Sequence, residues 1–496
     1  MKYLKRQTPI IAAFVAGFAV MSLEILGSRL VAPIVGSSVL VWTNLIGVIL
    51  VALATGAWVG GIIADRFHQE KVVGYMMLGA GTWSLLVVFV SRYILSLFPA
   101  LPPGTAAPII SLILLAPPAF MLGAIPPALI RLSLKEVSGS GHVAGMLSAT
   151  GSFGSLLGTY LTGYVLLPLY SVTELLFGIA VLLVIFALFF FSSIFRRRAV
   201  VSATGFMFIM TPVALDKQEY IFPSAYNFIE VKDINYHSEP ARALIINQGL
   251  HAAASPNTLN ESIFEYCRGW RAMDSLVTEP KRMLALGGGG FHVVREFLAR
   301  HPEATADVVE IDPAVVFAAK KTFDINPDPR LNLIIADART ALDNLEPGYD
   351  IIVQDTFAGD LSVPWHLLTQ EVFLKYKKLL APSGIYTANI IMGGDDSGEA
   401  VKRFNRDFST TLKTAFNWTG AVTLDNRLAT NQPANVLVFA GNGQKPDMKN
   451  LATEVSRYAT KSNPKELKLL DGGMIWTDDF GLADYESIAM YREAYK

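Results

Sequence analysis

Met283–Glu310, MLALGGGGFHVVREFLARHPEATADVVE, reads as a strand, a tight turn and a helix that runs on into a second strand. Met283 to Leu286 are apolar, Gly287, Gly288, Gly289 and Gly290 break the run, and a helical pattern starts at about Val293. Glycine tolerates positive φ and lets backbone N–H groups approach a ligand closely. A second apolar run, Val308 to Ile311, delivers Glu310 and Asp312 at its carboxyl end. An acid about twenty residues beyond such a turn is placed to accept hydrogen bonds from ribose hydroxyls. A glycine run alone fits a simple turn equally well; with the acid at this distance, nucleoside binding is the favoured reading.

Working outward, the alternation continues through Pro313–Thr322, Leu331–Ile335, Ile351–Gln354, Trp365–Leu380 and Gly384–Ile391. Strands and helices by turns build a doubly wound α/β sheet, with its ligand crevice at the carboxyl ends of the strands. Those ends are acidic: Glu310 and Asp312, then Asp337, then Asp355, with Asp360 in the loop behind it. Each alone is more often a helix cap or turn residue. Together they point to a site for a ribose, an exocyclic amine and a cationic substrate. There is no GxxxxGK[ST] and no lysine near the glycine turn, so a sulfonium-bearing adenosine fits better than a polyphosphate. Upstream, Tyr220 to His251 alternates as a β-hairpin or small antiparallel sheet, and Asn260 to Met273 reads as an amphipathic helix.

The remainder of the 496-residue chain has a different composition, and its length calls for two or more domains. Charged residues make up 17% and mean hydropathy is +0.40, but the apolar excess lies before about residue 216. A net charge of −1 does not mark a nucleic-acid binder. Cys267 is the only cysteine, so no internal disulfide forms. Blocks long enough to cross a bilayer lie near Pro9–Leu26, Leu40–Ala64, Val73–Leu97, Ala107–Leu132, Ala144–Leu167 and Val172–Ile194, and more weakly at Ala199–Leu215, about seven in all. The first lacks an A-x-A-like site and reads as a span, not a cleaved signal. Lysines and arginines fall in the amino-terminal tail and in every second connection, which places the amino terminus in the cytoplasm. If Ala199–Leu215 crosses, the soluble half lies on the outer side.

Glu24 sits deep in the first span with Arg29 five positions on, and reads either as an ion pair closing the bundle or as a cation or proton site. Gly56 and Gly60, and Gly154 and Gly158, have the small-xxx-small spacing of close helix packing. Pro117, Pro118, Pro126 and Pro127 predict a broken fourth helix. Gly60–Arg66, GGIIADR, resembles the cytoplasmic GxLaDR loop of major-facilitator transporters.

From Tyr220 to Phe480 the chain resembles the spermidine synthase family of aminopropyltransferases, and in particular their membrane-fused bacterial group. The resemblance rests on Leu286–Gly290 followed by Arg295 and Glu296, on VEID at Val309–Asp312, and on Asp337 in IIADAR. It extends to Asp355–Phe373, DTFAGDLSVPWHLLTQEVF, as the gate loop and to Thr477–Phe480, TDDF, as the carboxyl-terminal signature. It implies a methyltransferase-like Rossmann fold, with residues 1–215 as the membrane domain, 216–280 as a β-hairpin subdomain with a connecting helix, and 281–496 as the Rossmann-like domain. It implies that Gly287, Gly288, Gly289, Glu310, Asp312 and Asp337 bind decarboxylated S-adenosylmethionine (or S-adenosylmethionine), with Glu310 on the ribose and Asp337 on the adenine amino group. Asp355 would orient and deprotonate an amine such as putrescine or spermidine, with Tyr266 and Asp360 beside it. No metal is implied. A homodimer in the bacterial inner membrane is implied, contacting lipid and no nucleic acid, with the soluble domain periplasmic if the seventh span crosses.

Three departures stand out. Gly290 replaces the aspartate that helps bind the aminopropyl amine, and Tyr266, Cys267 and Arg268 replace Tyr-His-Glu. His251 stands near a nucleoside-contacting glutamine of soluble members, as a ligand contact or a structural residue. Two competing functions share these features: a polyamine transporter whose soluble half is a sensor or degenerate enzyme, and an S-adenosylmethionine-dependent methyltransferase.

Overall fold

Glycine and proline decide how the apolar helices of the amino-terminal half meet. The computed structural model describes residues 2–35, 39–97, 103–134, 139–191, 221–222, 224, 226–247, 249–357, 363–394, 397–424 and 433–494. They fall into two units, Met1–Phe228 and Ile229–Lys496.

In the first unit, α1 (Lys2–Val35) lies along α7 (Ser140–Tyr160) with the backbones in contact. A Cβ added at Gly154 would sit 2.1 Å from the Phe14 carbonyl oxygen, and one at Gly158 would sit 2.5 Å from that of Phe18. The same holds where α2 (Val39–Arg66) meets α5 (Ala116–Gly123), since a Cβ at Gly56 would lie 2.1 Å from the Phe120 carbonyl oxygen. The small-residue spacing is therefore packing. The prolines do break the fourth helix. It runs as α4 (Pro103–Leu114), α5 and α6 (Ile125–Ser133), with a 51° bend between Ala107–Leu114 and Ala116–Ser133. Pro118 cannot donate to the Leu114 carbonyl, and the Trp83 indole N–H does so instead at 3.2 Å.

Three helical stretches, Gln7–Val31, Val41–Arg66 and Val172–Phe190, are long and apolar enough to cross a membrane; the bent pair makes a fourth if it is one span. Of the seven expected, three or four are shown among the described residues. Ala199–Leu215 lies outside them. The Ala144–Leu167 block is helical but is diluted by Ser148, Thr150, Ser152, Ser155 and Thr159, and it passes into a π-helix at Leu161–Leu166. Arg131 pairs with Asp65 of the GGIIADR run at 3.4 Å, putting two of the cation-bearing connections at one end of the bundle. Glu24 and Arg29 do not pair. The guanidinium donates to the Tyr226 carbonyl oxygen, and Glu24 has no hydrogen-bond or ion-pair partner among the described residues.

The second unit opens with an antiparallel meander, β1 (Ile229–Tyr236), β2 (Glu239–Ile246), β3 (Gly249–Ser255) and β4 (Thr258–Ser262). The amphipathic helix expected over Asn260–Met273 is shorter. Its first residues finish β4, and helix continues only as α9 (Glu265–Gly269) and a 3-10 turn, Trp270–Ser275.

The large sheet follows: β5 (Arg282–Leu286), β6 (Thr305–Glu310), β7 (Leu331–Ile335), β8 (Tyr349–Gln354), β9 (Leu380–Met392), β10 (Trp418–Thr423), β11 (Ala434–Gly441) and β12 (Lys465–Leu467). In space the order is β12-β10-β11-β9-β8-β5-β6-β7. The strands from β7 to β9 are parallel, and β11, β10 and β12 are added antiparallel. β5 is the first strand of the sheet in sequence, and its neighbours on either side are the second and the fourth. The strand order therefore reverses at β5, which opens a crevice at the carboxyl ends of β5 and β8. The central strands β5 and β8 are buried on both faces, which is why their sequences run apolar without alternating. Behind β8 and β9, α13 (Gln370–Leu379) packs Tyr376 against Tyr386 with centroids 5.2 Å apart, both fully buried. Each such ring contributes about 2 kcal/mol or more by leaving water.

Candidate active site

The crevice is built from the glycine turn. Leu286 is paired with Val309 on one side and with Gln354 on the other. The next amides keep this pattern: Gly287 N–H donates to the Val309 carbonyl at 2.9 Å, and Asp355 N–H to the Leu286 carbonyl at 2.9 Å. Asp355 is thereby held against the turn. Gly287 has φ +93° and Gly289 φ +47°, so two of the four glycines adopt the left-handed conformation read from the sequence. A Cβ at Gly287 would meet the Asp355 carbonyl oxygen at 2.3 Å.

Glu310, at the end of β6, turns its carboxylate back under the turn. Oε2 accepts from Gly288 N–H at 2.9 Å and Oε1 from Asp312 N–H at 3.0 Å. Burial pushes its pKa up, against the pull of the Asp312, Gly288 and Gly289 amides. Asp312 is buried and caps α11 (Pro313–Thr322), its Oδ1 accepting from Ala314 N–H at 2.9 Å. Asp337 likewise caps α12 (Ala338–Ala341), accepting from Thr340 N–H at 3.1 Å, while its other oxygen faces His366 Nε2 at 3.5 Å. The cap reading thus applies to both acids, and both still lie at the rim where the strands end.

Asp355 is the acid with the most unusual surroundings. Burial raises its pKa to about 6, with hydrogen bonds from Asn389 and Tyr266 opposing the rise. Asn389 Nδ2 lies 3.3 Å from Asp355 Oδ1, and the Asn389 side-chain oxygen Oδ1 is buried without a hydrogen-bond partner among the described residues. Asn389 sits deep in β9 and was not read from the sequence; an amide in an otherwise apolar run, IYTANIIM, was the available signal. Tyr266 stacks on Phe264 at 5.6 Å and meets Trp270 edge-on at 5.5 Å, so its hydroxyl is held toward Asp355. Burial and the Asp355 charge push the Tyr266 pKa well up, so it serves as a hydrogen-bond donor. Asp360 lies outside the described residues.

Arg268, which replaces a family acid, does not add free positive charge to this pocket. Its Nε donates to the Ser262 carbonyl at 2.9 Å, and its Nη1 lies 3.4 Å from Glu265. His251 is half-buried, its pKa lowered to about 4 by desolvation, and its carbonyl lies near Gly289. Position 290 is closed to side chains. A Cβ there would lie 2.7 Å from Ala252 Cβ and 2.7 Å from His292 Nδ1. His292 is itself seated, with Nε2 3.3 Å from the Leu259 carbonyl oxygen. Gly290→Asp is therefore expected to cost about 1–3 kcal/mol of stability. Thermal unfolding checks this, and a variant as stable as wild type would refute it.

Residues 272–392 match the family described as Spermine/spermidine synthase domain. The chain is 35% identical over 114 residues to a polyamine aminopropyltransferase of Vibrio vulnificus (strain CMCP6), covering 22% of this chain and 38% of that one. It is 29% identical over 220 residues to a polyamine aminopropyltransferase of Synechococcus sp. (strain JA-2-3B'a(2-13)), covering 40% and 68%. The chain spans less than half the length of the first three curated relatives it matches, 38%, 34% and 48%. Among solved structures, a probable spermidine synthase from Corynebacterium glutamicum ATCC 13032 aligns with a TM-score of 0.43 at 23% identity, covering 50% of this chain and 90% of that one. The chain carries a spermine/spermidine synthase domain, preceded in sequence by three or four helices apolar enough to cross a membrane, and it is a homologue of the polyamine aminopropyltransferases.

Proposed function

We propose that the chain is a membrane-embedded aminopropyltransferase that moves the aminopropyl group of decarboxylated S-adenosylmethionine onto putrescine or a related amine. The observation that carries this reading is the cluster of half-buried Asp355 and Tyr266 with buried Asn389 beside the glycine turn. Glu310 takes the ribose hydroxyls on its remaining lone pairs, and Asp337 takes the adenine amino group. An alkylamine has a pKa of about 10 and is mostly protonated near neutral pH. The Asp355 carboxylate binds this ammonium and accepts its proton, and the unpartnered Asn389 oxygen accepts a second N–H. The freed nitrogen lone pair attacks the methylene carbon on sulfur, a C–N bond forms, and the C–S pair returns to sulfur to give neutral methylthioadenosine. Alignment of the two substrates supplies much of the remaining rate.

The test is methylthioadenosine release by the purified full chain from decarboxylated S-adenosylmethionine and putrescine. Release that depends on the amine and disappears in Asp355→Asn is the expected result. Wild-type protein that binds methylthioadenosine but releases none with any polyamine would reject the reaction. In this reading the chain forms a homodimer in a lipid bilayer, with seven crossings if residues 199–215 span.

A second reading, polyamine transport with the soluble domain as sensor, is favoured by Glu24, which has no partner among the described residues, and by the broken fourth helix. Polyamine flux in proteoliposomes that is lost in Glu24→Gln while transferase activity persists would select it.

A further inference from the structure

Arg339, two residues after Asp337, gathers three segments of the second unit. Its Nη1 donates to the His366 carbonyl at 2.8 Å and to the Thr369 hydroxyl at 3.0 Å, and its Nη2 donates to the carboxylate of Asp478. Thr369 is fully buried, and its hydroxyl donates a hydrogen bond to the other Asp478 oxygen at 2.8 Å. The carboxyl-terminal segment is fastened around this contact. Gln370 N–H donates to the Trp476 carbonyl at 2.9 Å, and Asp478 N–H donates to Glu371 at 3.1 Å. Thr477 and Phe480 close a tight turn, and a Cβ at Gly481 would lie 2.3 Å from the Trp365 ring. Trp365–Leu367 is a 3-10 turn, and it brings His366 Nε2 to 3.5 Å from Asp337.

We propose that Asp478 is a positioning residue of the transferase site: by holding the Arg339 fork, it sets how far the Asp337 carboxylate stands from the His366 turn that bounds the nucleoside side of the crevice. This rests on the reading of Asp337 as a nucleoside contact. The geometry supports a positioning role over a general brace for two reasons. Asp478 is 45% exposed on its side chain, so the contact adds little buried area to the core. The fork also holds the backbone carbonyl of the residue whose ring faces Asp337, which a lysine or an uncharged amide partner would not hold in the same plane. Asp478 neither touches the reacting atoms nor meets Asp355 in any contact described above, so removing its charge should act on nucleoside affinity and leave the chemical step alone.

The test is calorimetric binding of methylthioadenosine to the full-length, detergent-solubilised protein, together with steady-state kinetics. Asp478→Asn should raise Kd for methylthioadenosine and KM for the sulfonium nucleoside about tenfold, with kcat at saturation within about twofold of wild type. Asp478→Glu should recover most of that loss. If Asp478→Asn does not fold, Arg339→Lys, which keeps the charge and loses the fork, should show the same KM-only change. Equal Kd values in wild type and variants, or a fall in kcat at constant KM, would overturn the positioning role. A wild-type protein that binds no methylthioadenosine would instead overturn the nucleoside site itself, which is the reading beneath it.

Discussion

Replacing Asp355 by asparagine should cut turnover about a thousandfold and yet make the second unit more stable near neutral pH. The loss follows from removing a positioned base, an effect of about two to four powers of ten. The gain follows from linkage. The folded environment raises the carboxyl pKa from 3.8 to about 6, chiefly by burial. The folded state therefore holds this proton more tightly than the unfolded chain does. The stability from that preference is fully present below about pH 4 and is lost as the pH rises through about 6. By pH 7.5 the ionised Asp355 costs about 3 kcal/mol relative to a neutral side chain. Asparagine keeps an oxygen for the Asn389 and Tyr266 donors and removes the charge. Urea unfolding should show the variant ahead by about that amount at pH 7.5 and level with wild type near pH 4. In the wild type, kcat/KM should fall as pH drops through about 6, the value to which burial raises Asp355. A variant that turns over normally, or that is destabilised at pH 7.5, would remove Asp355 from the role of buried base.

Gly287→Ala is expected to have the largest structural cost of any single methyl group in the crevice. At φ +93° an L-residue is strained, and its Cβ would lie 2.3 Å from the Asp355 carbonyl oxygen and 3.0 Å from the carbonyl carbon. Neither chain can yield without breaking the bonds that join Gly287 to Val309 and Asp355 to Leu286, both 2.9 Å. Strain and overlap together should destabilise the unit by about 3 kcal/mol or more and weaken methylthioadenosine binding by about a hundredfold. Gly288→Ala is the control. Gly288 is outside the left-handed region, and its added Cβ would meet the outer ring atoms of Phe291 at 3.1 Å and Glu310 Cβ at 3.4 Å, with no backbone atom among these nearest neighbours. It should cost about 1 kcal/mol or less. Equal losses in the two variants would show that general crowding, not the backbone conformation of Gly287, governs the turn.

Much of this architecture was readable before any coordinates. The turn at Gly287–Gly290, the acids at the ends of β6, β7 and β8, the broken fourth helix and the glycine-packed spans all rest on short-range rules of periodicity, φ preference and missing donors. Those rules act within a few residues, so the sequence carries them openly. Other features were not legible for the same reason. The shortened helix at 265–269 reflects β4 capturing residues 258–262 in a sheet, a tertiary pull on an amphipathic pattern. Closure of position 290 depends on Ala252 and on the seating of His292 against Leu259. Asn389 reaches Asp355 across 34 residues, and Asp478 reaches Arg339 across 139.

The sequence by itself determined that a helical, apolar half precedes a nucleoside-type parallel sheet with acids at its rim, because local patterning specifies which elements form and what their ends carry. Only the tertiary structure decided that Asp355 is desolvated between Tyr266 and Asn389, and that the carboxyl-terminal TDDF run is tied to the third-strand turn. Burial and pairing are properties of segments brought together from far apart, and no window of sequence contains both partners.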